Sequence, residues 1–244
     1  MNSFRRYLVS VNIVAIAVAA LVMSACKKPL TVQGTTTLPA LEGRSMSLRV
    51  YSNGNLVTID STRVIHGRFS FNVPSDSMVM ASLFLGDESV MPVVLDGGPV
   101  EITITENDHR AFGTPLNDTL YVFIHQKREI DDKLAELPRR ESQMILEGKE
   151  HDEIVAQLNS EAAVLAAKCD ALVADFIKKH TGDVLGPGVF MIATSSMPFP
   201  YMTPLIEEII TLAPDEFKND AYVQDFVRMA REYAEKEIDS SLGE

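Results

Sequence analysis

The chain has 244 residues, of which 46% are hydrophobic, 7% aromatic and 23% charged, and these values exclude wholesale disorder, collagen and low-complexity repeats. Its 34 acidic and 22 basic residues give a net charge of -12, so we expect no nucleic-acid partner. Two cysteines are too few for a disulfide-dense scaffold or a cysteine-rich zinc site.

The first 26 residues have the pattern of a secretory signal. Arg5 and Arg6 precede an apolar stretch that is short for a membrane span, and small residues follow it directly. The stretch ends in Met23-Ser24-Ala25-Cys26, which resembles the lipobox of a bacterial lipoprotein signal, with Met23 where leucine is usual. An uncleaved helical anchor, which would leave the Cys26 thiol free, is the alternative interpretation.

The lipoprotein resemblance implies that residues 1–25 are removed and that Cys26 carries the lipid. The acyl chains would make the membrane a partner of this protein, because each buried methylene contributes about 0.8 kcal/mol. Lys27 and Lys28 would then lie beside anionic headgroups. Surface-displayed lipoproteins of the Bacteroidota usually have an acidic cluster after the cysteine. Its absence favours the periplasmic face of the cell envelope, and we expect the outer membrane.

Residues 26–112 have the alternation of antiparallel strands. Phe69, Phe71 and Val73 alternate with polar neighbours, which places one strand face on a core and the other in water. Asn53-Gly54 predicts a two-residue hairpin, and Asp96-Gly97-Gly98 predicts another turn. We expect a β-sandwich or a partly open barrel. The segment lacks a helix of crossover length, which argues against a parallel sheet.

Residues 113–244 have helical spacing of their apolar positions, which predicts a helical domain and an α+β fold class for the whole chain. Asn117 or Asp118 is expected to cap the first helix, and Pro138 is expected to end it. Further helices are predicted over 151–180, 203–212 and 219–237. Between them, Gly186-Pro187-Gly188 and the segment 197–202 are expected to break the chain.

Three features together resemble a known family: the stretch 59–71, the strand after Gly97-Gly98 leading into 112–117, and the helical segment that ends at Pro214. They are similar to the N-terminal β domain of unknown function, with its helical extension, in thioredoxin-like thiol-disulfide oxidoreductase lipoproteins of the Bacteroidota. In that family a thioredoxin domain with Cys-x-x-Cys follows. This chain has no Cys-x-x-Cys before it stops at Glu244, so we expect that domain and its redox activity to be absent.

Few residues of the mature chain are candidates for chemistry. Cys169 lies on the apolar stripe of its predicted helix, where a cysteine acts as a small hydrophobic residue. His125 and Glu129 are one helical turn apart, and a solvated pair is the expected arrangement. We therefore predict no catalytic residues, no metal site and no cofactor.

The segment 197–202, Met-Pro-Phe-Pro-Tyr-Met, is the most unusual stretch of the mature chain. Two prolines stiffen it, and four large apolar side chains are costly to leave in water. It either packs on the helices or presents Phe199 and Tyr201 to a partner, because exposed apolar patches mark interfaces.

These observations lead to a first hypothesis of a non-catalytic, lipid-anchored binding or scaffolding protein in the periplasm, with an envelope protein as its partner. The alternative is an accessory role in envelope thiol-disulfide exchange. A hydrolase is a weaker third hypothesis, which a pocket with converging histidine and carboxyl groups would favour.

Overall fold

The computed structural model describes residues 30–73 and 78–242, with side chains as far as residue 236. The predicted signal segment and Cys26 lie outside the described residues. Within the described residues, no helix is both long enough and apolar enough to cross a bilayer.

The β half contains two four-stranded sheets that pack face to face. The strands are β1 (Leu30–Thr36), β2 (Ser45–Ser52), β3 (Asn55–Arg63), β4 (Arg68–Val73), β5 (Val79–Leu85), β6 (Glu88–Leu95), β7 (Val100–Ile104) and β8 (His109–Phe112). The first sheet has the order β4-β1-β7-β8, and the second has the order β3-β2-β5-β6. This arrangement confirms the expected β-sandwich.

The period-two alternation of the sequence accounts for the core between the sheets. Phe71 and Val73 of β4 are buried, while their neighbours Ser70 and Asn72 are exposed. Leu48 of β2 and Leu83 of β5 approach from the second sheet and are fully buried. Each buried aliphatic or aromatic side chain stabilises the fold by about 1.5–3 kcal/mol, so this core accounts for much of the stability of the β half.

The sheets are mainly antiparallel, as expected, with one exception: β1 and β7 pair in parallel. The chain leaves the first sheet after β1, forms β2 and β3 in the second sheet, and returns as β4. It makes the same excursion through β5 and β6 before β7. Strands of the second sheet therefore supply the connection that a crossover helix usually provides.

Side chains close the two gaps between the sheet edges. At one gap, the carboxylate of Asp60 in β3 accepts a hydrogen bond from the backbone N–H of Asn72 in β4, at 2.7 Å. At the other gap, the hydroxyl of Tyr121 donates to the carbonyl of Pro92 in β6, at 2.8 Å. The sandwich therefore resembles a barrel that is closed in part by side chains, which protects its strand edges from other chains.

The helical half follows the β half in the chain, which confirms the predicted α+β fold class. Its helices are α1 (Pro115–Leu146), α2 (His151–Lys179), α3 (Leu185–Thr194), α4 (Pro204–Leu212), α5 (Asp215–Lys218) and α6 (Ala221–Leu242). The outer face of the second sheet packs against them through Met80 and Val94. Phe190 of α3 is 1% exposed and lies edge-on to the rings of Phe217 and Phe226.

The predicted ends of the first helix were wrong at both termini. Thr114 is the N-cap, and its hydroxyl accepts from the backbone N–H of Asn117 at 3.4 Å. Pro138 lies inside α1, which continues to Leu146. The proline removes one backbone hydrogen bond. Packing of Leu137 and Met144 against α2 offsets that loss and keeps the helix continuous.

The segment Gly186-Pro187-Gly188 was predicted to break the chain, but it forms the first turn of α3. A proline is tolerated there because the first N–H groups of a helix have no partner within the helix. A side chain at Gly186 would collide with the backbone carbonyl of His180, and one at Gly188 would displace the side chain of Met80 in the sheet. The helix therefore lies directly on the sheet.

Helices α1 and α2 extend past the β-sandwich as an antiparallel arm, here defined as residues 130–165. Arg128 of α1 lies 3.8 Å from Asp108 in the turn between β7 and β8. The residues of α1 beyond Arg128 add about 27 Å at 1.5 Å per residue. Four buried residues of the arm form a cluster separate from the two main cores: Leu137, Met144, Ile154 and Leu158.

Candidate functional site

The loop between α3 and α4 divides its large side chains between the core and the surface. Met197 and Met202 pack against the helical core. Phe199 and Tyr201 point outward and remain 42% and 41% exposed. The ring of Phe199 stacks on Tyr233 of α6, with ring centroids 4.5 Å apart and an interplanar angle of 13°. Phe199, Tyr201 and Tyr233 are called the aromatic patch below.

The local sequence holds this loop in place at both ends. Pro198 and Pro200 restrict the backbone on either side of Phe199. The hydroxyl of Thr203 caps α4 by accepting from the backbone N–H of Ile206 at 3.2 Å. Rigid aromatic side chains lose little conformational entropy on binding, so the patch can stack on an apolar or planar surface of a partner.

Cys169 lies on α2 within range of the charges of Lys127 and Asp131 in α1, and it is half-buried rather than fully buried. Burial is the main cause that raises the pKa of its thiol. The positive charge of Lys127 acts in the opposite direction, and the carboxylate of Asp131 adds to the rise. A raised pKa lowers the fraction of reactive thiolate at neutral pH.

The groove between β8 and α1 brings histidine and carboxyl groups together. It is lined in part by Asp108, His109, His125 and Glu129. Nδ1 of His125 lies 3.4 Å from Glu129, and both side chains are mostly exposed, at 72% and 62%, which agrees with the expected solvated pair. Among the described residues that line this groove there is no serine, threonine or cysteine to act as a nucleophile.

The geometry gives no support to a metal centre in the described part of the chain. In residues 30–73 and 78–236, no three histidine, cysteine, aspartate or glutamate side chains lie close enough together to hold an ion. The lipid-attachment residue, Cys26, lies outside the described residues, so its role stays a prediction.

Sequence reasoning missed the residues that join the two halves of the molecule. The hydroxyl of Tyr51 in β2 donates to the carboxylate of Asp225 in α6 at 2.8 Å, and its ring lies edge-on to that of Tyr222. Burial, followed by this hydrogen bond, raises the pKa of Tyr51 to about 12. No local pattern marks such a pair, because its members are far apart in sequence.

All eight strands and the first turns of α1 form a continuous unit, and a comparison with protein families recognises this unit. Residues 30–120 match the family described as a domain of unknown function, DUF4369. The DUF4369 segment ends just after Asn117, the buried side chain through which α1 holds β6. The aromatic patch and Cys169 lie outside it. Searches of curated proteins and of solved structures found no match to the chain.

Proposed function

We propose that this protein is a lipid-anchored, non-catalytic binding or scaffolding protein of the bacterial envelope, which contacts a partner protein through the aromatic patch. The observation that carries the proposal is the orientation of the loop 197–202. Its methionines are packed inside, while Phe199 and Tyr201 stay about two-fifths exposed on a rigid support.

The exposure of these two rings costs free energy in the isolated protein, because apolar surface is left in water. A partner that covers them recovers that free energy. Aromatic residues are also those that most often dominate protein interfaces. The stacking of Phe199 on Tyr233 holds the ring in one orientation, so little further ordering is needed on binding.

The anchor in this proposal is Cys26, with residues 1–25 removed, and the location is the outer membrane facing the periplasm. The pattern of the first 26 residues and the two lysines after Cys26 support it. The resemblance to thioredoxin-like lipoproteins of the Bacteroidota is a further argument. The DUF4369 segment coincides with the β half on which much of that resemblance rests.

A non-catalytic role fits the chemistry of the described groups better than catalysis does. The groove beside His125 has no serine, threonine or cysteine among its described lining residues, and the hydroxyl of Tyr121 is already hydrogen-bonded to Pro92. The raised pKa of Cys169 works against a direct part in thiol exchange.

Site-specific photo-crosslinking in cells tests the proposed contact. A photoreactive phenylalanine analogue replaces Tyr201, and in a matched control it replaces Leu146 at the tip of the arm, which is 88% exposed. We expect a discrete protein adduct from position 201, and we expect Phe199→Ala to reduce its yield. An adduct from position 146 alone would transfer the contact to the arm, and absence of any adduct at 201 would contradict the proposed patch.

A further inference from the structure

Successive strands of the sandwich run in opposite directions, so the connections between them lie alternately at its two ends. The anchor end, as named here, contains the first residue of β1 and the turns 53–54 and 96–99. The far end contains the connections 37–44, 64–67, 86–87 and 105–108. Met78 also lies at the anchor end, because the neighbouring Val79 pairs with Leu95 at the end of β6. Residues 74–77 are outside the described part of the chain.

The connections at both ends carry charged and exposed apolar side chains. The far end carries five carboxylates in or beside its connections, Glu42, Asp87, Glu88, Glu106 and Asp108, and also three arginines, Arg44, Arg63 and Arg68. At the anchor end, Asp96 lies in the turn 96–99, and the carboxylate of Asp225 in α6 lies beside Gly54 of the turn 53–54. Three apolar side chains next to the anchor-end connections are about half exposed: Leu56 at 48%, Val57 at 46% and Met78 at 57%.

The short chain between Cys26 and β1 would keep the anchor end close to the bilayer. This step rests on the proposed acylation of Cys26. Four residue spacings separate Cys26 from Leu30. Even a fully extended chain of that length spans about 14 Å at most. The first residue of β1 would therefore stay within about 14 Å of the lipid-bearing residue, with Lys27 and Lys28 between them.

We infer that the anchor end of the sandwich lies on the bilayer and that Leu56, Val57 and Met78 contact the boundary between headgroups and acyl chains. The short tether brings this end to the lipid, and the exposed apolar side chains gain from leaving water there.

Helix α1 gives the direction of the rest of the molecule under this inference. Its start contacts the anchor end, where Asn117 bonds to Val94 near the end of β6. The helix then runs along the sandwich, and Arg128 lies next to Asp108 at the far end. The arm therefore points away from the membrane, with its tip the most distant part of α1.

Depth-dependent fluorescence quenching tests the inference on the acylated, full-length mature protein. Bimane is attached to a single cysteine introduced as Leu56→Cys or Met78→Cys in a Cys169→Ser background. The matched control is Ile65→Cys, because Ile65 is 62% exposed and lies at the far end. The vesicles contain phosphatidylethanolamine, phosphatidylglycerol and doxyl-labelled phosphatidylcholine, and co-flotation first shows whether the protein is anchored.

We expect the labels at 56 and 78 to lose emission and shift to the blue on vesicles that carry the quencher, while the label at 65 stays unchanged. Co-flotation with equal quenching at all three positions, or with stronger quenching at 65, would overturn the orientation and leave the anchor intact. Failure of the protein to float would overturn both the anchor and the orientation.

Discussion

The side-chain amide of Asn117 pairs with the backbone of Val94 as a neighbouring strand would. Its Oδ1 accepts from the Val94 N–H at 2.9 Å, and its Nδ2 donates to the Val94 carbonyl at 2.8 Å. Asn117 is fully buried at the start of α1, and Val94 lies on edge strand β6. One side chain thus satisfies both backbone groups at an edge and fixes the helical half to the sandwich.

Replacing Asn117 with leucine should destabilise the whole protein. The substitution leaves the buried N–H and carbonyl of Val94 without partners, at a cost of about 1–3 kcal/mol for each group. We expect the free energy of unfolding, measured in urea, to fall by about 2–5 kcal/mol. Gln126→Leu, an amide-to-leucine change at an exposed position of α1, should change it by less than about 0.5 kcal/mol. Equal effects of the two substitutions would contradict the role given to Asn117.

The contact between β2 and α6 predicts a specific acid dependence. Hydrogen bonds from Arg228 first, and then from Tyr51, hold the pKa of Asp225 below its usual value. A carboxyl group whose pKa is lower in the folded state stabilises that state above its unfolded pKa of about 3.9. That contribution is lost as the pH falls through the folded pKa.

Asp225→Asn should therefore lower stability at neutral pH and flatten the loss of stability below about pH 4. Urea unfolding at about pH 7 and about pH 3 measures both effects in one variant, because these values lie above and below the ordinary pKa of an aspartate. Asp132→Asn removes an equal charge from an exposed position of α1 and is the control. A wild-type acid response in Asp225→Asn would show that this carboxylate does not contribute.

Cys169 should be alkylated slowly in the native protein. Its pKa is raised mainly by burial, so less thiolate is present at neutral pH than in a free thiol. The rate of iodoacetamide labelling should increase in urea, and Lys127→Met should slow the native rate because it removes a nearby positive charge. Native labelling as fast as that of the denatured chain would favour a reactive thiol and the accessory role in thiol exchange.

The arm should open independently of the rest of the molecule. Leu137, Met144, Ile154 and Leu158 form a small buried cluster that is separate from the two main cores. Leu137→Ala should therefore accelerate amide hydrogen exchange in residues 130–165 while leaving β1 to β8 protected. Leu120→Ala, in the main helical core, should instead lower the free energy of global unfolding by about 2–5 kcal/mol. Uniform acceleration across the chain in Leu137→Ala would contradict an independent arm.

Local patterns predicted the local structure well. The Asn53-Gly54 turn is present with positive φ at both residues, 49° and 79°, because the hairpin needs that backbone geometry. The strand faces follow the alternation of Phe69, Phe71 and Val73. These features depend on neighbours in sequence, which is why the sequence alone is sufficient to find them.

Features that depend on distant residues were missed or wrong. The parallel pairing of β1 with β7 follows from two excursions through the other sheet, and the continuation of α1 past Pro138 follows from packing on α2. The exposure of Phe199 and Tyr201 agrees with one of the two expected arrangements of their loop. The stacking on Tyr233, by contrast, has no signal in the local sequence.

The central claim is that Cys26 becomes the acylated first residue of the mature protein, because the location, the short tether and the membrane-facing end all depend on it. Intact-mass spectrometry of the protein purified from native membranes tests it most directly, with Cys26→Ser as the control. We predict a chain that begins at Cys26 and carries the added mass of the acyl groups. A chain that retains Met1, or one processed without lipid, would contradict the account.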